Sequence, residues 1–307
     1  MGQNSQFSLL SKRRFLPYFL TQALGAFNDN LYKNALLLLI AFGGISAQSD
    51  SALLTNLAAG LFILPFFLFS PLAGQIADKL EKSKLIRWVK ALEVVIMLLA
   101  ASAIIVGSIE MMMLLLFLMG LQSTLFGPVK FALLPQHLEE DELVGGNALV
   151  EVGTFVAILI GTLVAGLFFN FDHGQYWIAG GVIFFALLGF ISSLSIPQAA
   201  ANDPQLKINW NPASELLNTV RQARENRSVF FSIIAISWFW FIGASYLTQF
   251  PNFARDYLGG SAQVVTLLLA LFSLGVAFGS LLCEKLSGHT IELGIVPLGS
   301  IGMTLFG

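Results

Sequence analysis

Asp29 and Lys130 are the side chains in this sequence best placed to do chemistry, because each is an ionisable group set inside a long apolar run. Charge in the hydrocarbon region costs about 2.5–3.5 kcal/mol per residue even on insertion scales, so such groups face a protein interior or a water-filled cavity. Asp29 lies about 22 Å along its run at 1.5 Å per residue, close to the midplane of a bilayer. Asn28 and Asn30 flank it, and Gly25 one turn earlier keeps that face open. Asp29 and Asn30 are therefore candidates to bind the cationic or hydroxyl part of a ligand; the competing reading is an ion pair between Asp29 and Lys33 at i,i+4. Lys130 sits between Pro128 and Pro135, which are expected to interrupt its helix and free backbone carbonyls beside a cavity. A lysine there can hold a phosphate as a point charge. Glu151, at a similar depth in the next run, is either a further binding residue or the structural partner of Lys130. Glu93 is expected near the membrane boundary, snorkelling or pairing with a loop, and His137, His173 and His289 are not spaced to bind a metal.

The elements that carry these residues follow from composition. Hydrophobic residues make up 56% of the 307, charged residues 11%, and 28 are phenylalanine; an ordinary soluble domain is about one quarter charged. Such a chain is an integral membrane protein. Helices are expected rather than strands, because a helix satisfies its own backbone and the runs far exceed the roughly ten-residue segments of an outer-membrane barrel. The fold class is thus an all-α membrane protein. Runs of the length needed to cross a bilayer place spans at 14–43, 52–79, 85–107, 110–134, 144–170 and 175–196, then at 229–255 and 262–286, with a ninth starting near Ile291. The organisation expected is an N-terminal six-helix bundle over 1–196, a connecting loop over 197–228 and a partial second bundle over 229–307. Pro197, Pro204 and Pro212 break the loop, and Ala213 to Arg227 is expected to form a solvated surface helix. The acidic run Glu139 to Glu142 reads as a solvated turn. In the fifth span Gly153, Ala157, Gly161 and Ala165 recur every four residues, a stripe that lets a neighbouring helix approach closely. The single cysteine, Cys283, excludes an internal disulfide.

Orientation follows from the lysines and arginines. Lys12, Arg13 and Arg14, then Lys79, Lys82, Lys84, Arg87 and Lys90, then Lys207, Arg221, Arg224 and Arg227, and finally Lys285, all fall on one side; Arg255 falls on the other. The N-terminus and the long loop are therefore expected in the cytoplasm. No cleavable signal is evident, so the first span is expected to act as its own targeting signal.

The turn between the second and third spans carries Gly74, Asp78, Lys79, Lys82 and Lys84. It resembles the loop signature of the major facilitator superfamily, with Glu81 where the second glycine belongs, and these residues are expected to form a looser than usual conformational gate. Three further stretches resemble the lysophospholipid transporter branch of that family: Gln22 to Asn30, Phe126 to Pro135, and Gly146 to Glu151. Gly279 to His289 resembles the version fused to acyltransferase and acyl-carrier-protein synthetase domains. The resemblance implies a twelve-helix bundle, of which about 8 to 9 helices would be present here in a truncated chain. It also implies alternating-access flipping of lysophospholipids such as 2-acyl-glycerophosphoethanolamine across the bacterial inner membrane. The implied partners are the lysophospholipid itself, membrane lipid and an acyltransferase acting on the transported lipid; no cofactor and no nucleic acid is expected. The alternatives are a proton-coupled exporter of amphiphilic solutes or drugs, and the transporter module of a bifunctional acyltransferase parent. No proline follows Gly161, unlike the fifth helix of the family's drug antiporters, and span seven has no arginine before Arg255. No nucleophile with its base, acyltransferase box or nucleotide-binding loop is found, so no enzymatic activity is expected of these residues.

Overall fold

A computed structural model describes residues 6–42, 48–259, 262–288 and 292–306. A short 3-10 helix, Gln6–Ser11, leads into ten α-helices: α1 (Leu16–Phe42), α2 (Gln48–Lys79), α3 (Lys82–Val106), α4 (Ile109–His137), α5 (Leu143–Phe169), α6 (Gly174–Leu194), α7 (Pro212–Glu225), α8 (Arg227–Asp256), α9 (Ala262–Ser287) and α10 (Ile295–Phe306). Ile291, where the ninth span was expected to start, lies outside the described residues. Among the described residues seven helices, α2 to α6, α8 and α9, contain stretches long and apolar enough to cross a membrane. The chain is a multi-pass membrane protein. Helix α1 is equally long but carries Gln22, Asn28, Asp29, Asn30, Lys33 and Asn34, and this polar belt explains why it falls outside that group. It is packed instead against α5 and α6.

Helix α2 packs on α4, α3 on α6 and α4, and α5 on α9. Two apolar clusters result. One gathers Leu31, Tyr32, Leu36, Met97, Ala100, Met112 and Leu116; the other, nearer the α2–α3 turn, gathers Phe15, Tyr18, Ile86, Val89, Leu133 and Leu149. Along α1, α3 and α4 alike, a polar layer lies between the clusters, and that layer is the site described below.

The small stripe on α5 does what its spacing predicts. Gly153, Ala157, Gly161 and Ala165 are all buried, and a methyl group at Gly161 would run into the backbone carbonyl of Phe27 on α1. Backbone cannot yield as a side-chain tip can. Gly161→Ala is expected to destabilise the protein by about 1–3 kcal/mol, whereas Gly166→Ala, where a methyl group meets nothing, is expected to be neutral or slightly stabilising. Thermal unfolding of the two variants in the same detergent makes the comparison.

Helix α4 departs from expectation. Pro128 and Pro135 lie inside one continuous helix and do not interrupt it. A proline removes one helical hydrogen bond, and neighbouring helices can satisfy the freed carbonyl.

Candidate functional site

On α1, Gln22, Gly25, Ala26 and Asp29 follow the i, i+3, i+4, i+7 stripe of one helical face. They meet Lys90 and Glu93 of α3 and Gln122, Ser123, Phe126 and Lys130 of α4 around a cavity of about 90 Å³. Asp29 and Lys130 thus share one chamber. Asp29 Oδ2 accepts a hydrogen bond from Ser123 Oγ at 2.7 Å, and its buried Oδ1 has no hydrogen-bond partner among the described residues. Lys130 Nζ donates to Thr154 Oγ1 at 3.1 Å, which donates to Gln22 Oε1 at 2.8 Å. Its ammonium also lies 5.1 Å from the Phe131 ring centre.

The other two expected binding residues lie apart from this chamber. Asn30 is turned back along its own helix, donating to Ala26 O at 2.8 Å and accepting from Lys33 Nζ at 3.0 Å. One residue is a 100° rotation on a helix, enough to carry Asn30 off the face that Asp29 occupies. Lys33 accordingly pairs with Asn30, and no Asp29–Lys33 ion pair forms among the described residues; its ammonium faces the Phe62 ring of α2 at 5.4 Å. Glu151 is half-buried on α5 and makes no ion pair with Lys130, whose hydrogen bond goes to Thr154 one turn further on.

Two residues that the sequence assigned to the boundary belong to the chamber. Lys90 and Glu93 are each 1% exposed and form an ion pair at 2.6 Å. Glu93 also accepts from Asn28 Nδ2 at 3.2 Å and Gln122 Nε2 at 3.4 Å, so it neither snorkels nor pairs with a loop. Lys90 lies only about 12 Å from the start of α3 at 1.5 Å per residue, close enough to the basic turn to be counted with it. The signal that would have found the pair is its period: Lys90 with Glu93 on α3, and Gln122 with Phe126 and Lys130 on α4, keep helical spacing on otherwise apolar helices.

The cavity walls therefore carry two cations and two carboxylates, set between two apolar layers. Such a chamber is formally neutral and suits a zwitterion better than a lone ion. Comparison with known proteins agrees with a membrane carrier. The sequence profile of the Major Facilitator Superfamily matches residues 16–307. The chain belongs to this superfamily. It is 27% identical over 288 residues to the lysophospholipid transporter LplT of Cronobacter sakazakii, covering 93% of this chain and 69% of that one. LplT of Klebsiella pneumoniae is 25% identical over 280 residues, covering 84% and 68%. An LplT of Escherichia coli is 26% identical over 269 residues, covering 86% and 64%.

The superfamily signature turn has a structural partner that the sequence did not suggest, the segment that follows α6. Asp78 accepts from Asn202 Nδ2 at 2.7 Å, and its carbonyl accepts from the Asp203 amide at 3.0 Å. Lys82 is wholly buried and donates to Ala200 O at 2.7 Å and Asn202 Oδ1 at 2.8 Å. Gln75 exchanges hydrogen bonds with the Asn209 backbone at 2.8 and 3.3 Å. At Gly74 a methyl group would meet nothing, and the side chains of Lys79 and Lys84 make no hydrogen bond or ion pair among the described residues. Thus Asp78 and Lys82 clamp the connection over 199–203 and Gln75 holds it at Asn209, and Lys79 and Lys84 supply charge. The N-terminal segment is fastened at the same end, where Lys12 and Arg14 pair with Glu142 at 2.6 and 2.7 Å. The acidic run before α5 is therefore an anchor as well as a turn.

Glu81 does not loosen the superfamily turn. It caps α3, accepting from the amides of Ser83 at 3.0 Å and Lys84 at 2.9 Å, and it reaches the Ala199 amide at 2.8 Å. Partial burial raises its pKa, but hydrogen bonds from Ala199, Ser83 and Lys84 outweigh that and hold it below the ordinary carboxylate value. A depressed carboxylate contributes stability above its unfolded pKa and loses it as pH falls through the folded one. Hydrogen-exchange protection over 196–209, taken relative to the intrinsic rate at each pH, is expected to hold from neutral pH down to the ordinary carboxylate range and to fall below it. Glu81→Ala is expected to remove that acid transition and to cost about 0.5–2 kcal/mol as a lost cap.

Proposed function

We propose that this protein is a transmembrane transporter that moves lysophospholipids, such as 2-acyl-glycerophosphoethanolamine, across the bacterial inner membrane by alternating access. The cavity carries this reading. A carboxylate with a buried oxygen that has no hydrogen-bond partner among the described residues faces the same chamber as a lysine whose hydrogen bond goes to a neutral hydroxyl. A glycerophosphoethanolamine head group presents an ammonium for Asp29 and a phosphate for Lys130. Its likeness to the LplT proteins supports the same assignment. The chamber, at about 90 Å³, is far below the roughly 300–1,000 Å³ of a typical ligand pocket, so the acyl chain lies outside it. The aromatic surface of α8, where Trp240 stacks on Phe155 of α5 at 6.2 Å and Trp238 and Phe241 are exposed, offers apolar cover for that chain.

In this reading residues 1–196 are the N-terminal bundle, 197–228 the connection and 229–307 part of the second bundle. The N-terminus is cytoplasmic, since Lys12 and Arg14 share an end with the basic α2–α3 turn. The clamp at Asp78 and Lys82 ties the connection to the first bundle and acts as the gate on that side, and an acyltransferase uses the lipid delivered. The test is uptake of labelled lysophosphatidylethanolamine into proteoliposomes, with and without an imposed proton gradient. Saturable uptake is expected. Uptake under neither condition overturns the reading, and gradient-driven movement of an amphiphilic cation without lysophospholipid movement establishes a proton-coupled exporter instead.

A further inference from the structure

We propose that Lys90 and Lys130 form a two-lysine clamp for the phosphate of the bound lipid, with Glu93 holding Lys90 in reserve until that phosphate arrives. This rests on the lysophospholipid reading of the cavity. Both lysines line the same chamber. The hydrogen bond of Lys90 goes to Glu93, while Glu93 also accepts from Asn28 and Gln122. Glu93 therefore keeps two donors when Lys90 turns toward the phosphate, and because the ammonium stays within the same chamber the carboxylate keeps a counter-charge nearby. The Phe126 ring, 5.1 Å from the ammonium, gives the cation an aromatic face to swing across.

Gly25 leaves room for the Lys90 ammonium where it sits, since a methyl group there would push against the lysine Nζ, a side-chain tip that can shift aside. Stability alone does not explain the pair, since well-packed apolar residues usually replace a buried ion pair without loss. Charge accounting fits the clamp. Empty, the chamber balances Lys90 and Lys130 against Asp29 and Glu93; loaded, it adds one ammonium and one phosphate and stays balanced.

The test is equilibrium binding to the protein in nanodiscs, using fluorescent lysophosphatidylethanolamine and a chain-matched monoacylglycerol that lacks phosphate. Lys90→Gln/Glu93→Gln removes both charges together and leaves no stranded carboxylate. Gly25→Ala keeps every charge and displaces Lys90. The double variant is expected to weaken lysophosphatidylethanolamine binding by about ten-fold or more and Gly25→Ala to weaken it less, with monoacylglycerol binding unchanged in both. Wild-type affinity in the double variant overturns the clamp. If Asp29→Asn/Lys130→Gln loses binding while Lys90→Gln/Glu93→Gln does not, the clamp falls and the lysophospholipid site stands. If the wild-type protein does not prefer lysophosphatidylethanolamine to monoacylglycerol, both fall.

Discussion

Asp29→Asn is expected to slow lysophosphatidylethanolamine transport by roughly ten- to a hundred-fold while leaving the protein folded. The substitution preserves shape, and Ser123, which donates to Asp29 at 2.7 Å, can donate equally to the asparagine carbonyl. What is lost is the charge available to an incoming ammonium. A hydrogen bond to a charged group is worth about 1.5–3 kcal/mol, and each 1.36 kcal/mol is a factor of ten in rate. Folding is expected to be spared because Asp29 makes no direct ion pair among the described residues and Lys130 keeps its hydrogen bond to Thr154. Initial rates in proteoliposomes, with size-exclusion profiles of the same preparations, measure both halves. A substrate with phosphate but no amine should be affected much less.

Lys90→Met carries the largest expected effect on stability, a loss of about 3–5 kcal/mol. Glu93, 1% exposed, would be left as an uncompensated charge among Asn28, Gln122 and apolar neighbours. Lys90→Met/Glu93→Met removes the charge together with its partner, and most of the loss is expected to return. Thermal unfolding of the single and double variants decides this. A double variant as unstable as the single would mean that packing volume, rather than charge, matters at these positions.

Much of the fold was legible because membrane helices announce themselves by length. The runs placed at 110–134 and 144–170 correspond to Ile109–His137 and Leu143–Phe169, and the α5 stripe found its neighbour through simple periodicity. Asp29 and Lys130 were legible for the same reason, as charges where charge is costly. What stayed hidden was direction. Asn30 differs from Asp29 by one residue and therefore by a large rotation, which no composition argument resolves. Lys90 and Glu93 were assigned by distance from a loop, yet burial depends on how α3 sits against α1 and α4. Glu81 looked like a departure from a glycine pattern, and its capping bonds and its contact with Ala199 depend on a segment more than a hundred residues away. Long-range partners of this kind are set by tertiary packing rather than by local pattern.

The chamber between α1, α3 and α4 is where a lysophospholipid head group is proposed to be handled. The most direct test of this is the rate of labelled lysophosphatidylethanolamine movement in proteoliposomes holding equal amounts of wild-type protein or of the Asp29→Asn/Lys130→Gln variant. Saturable transport is expected of the wild type, and a fall to the protein-free leak of the variant. Equal rates in the two, with both proteins folded, would contradict it.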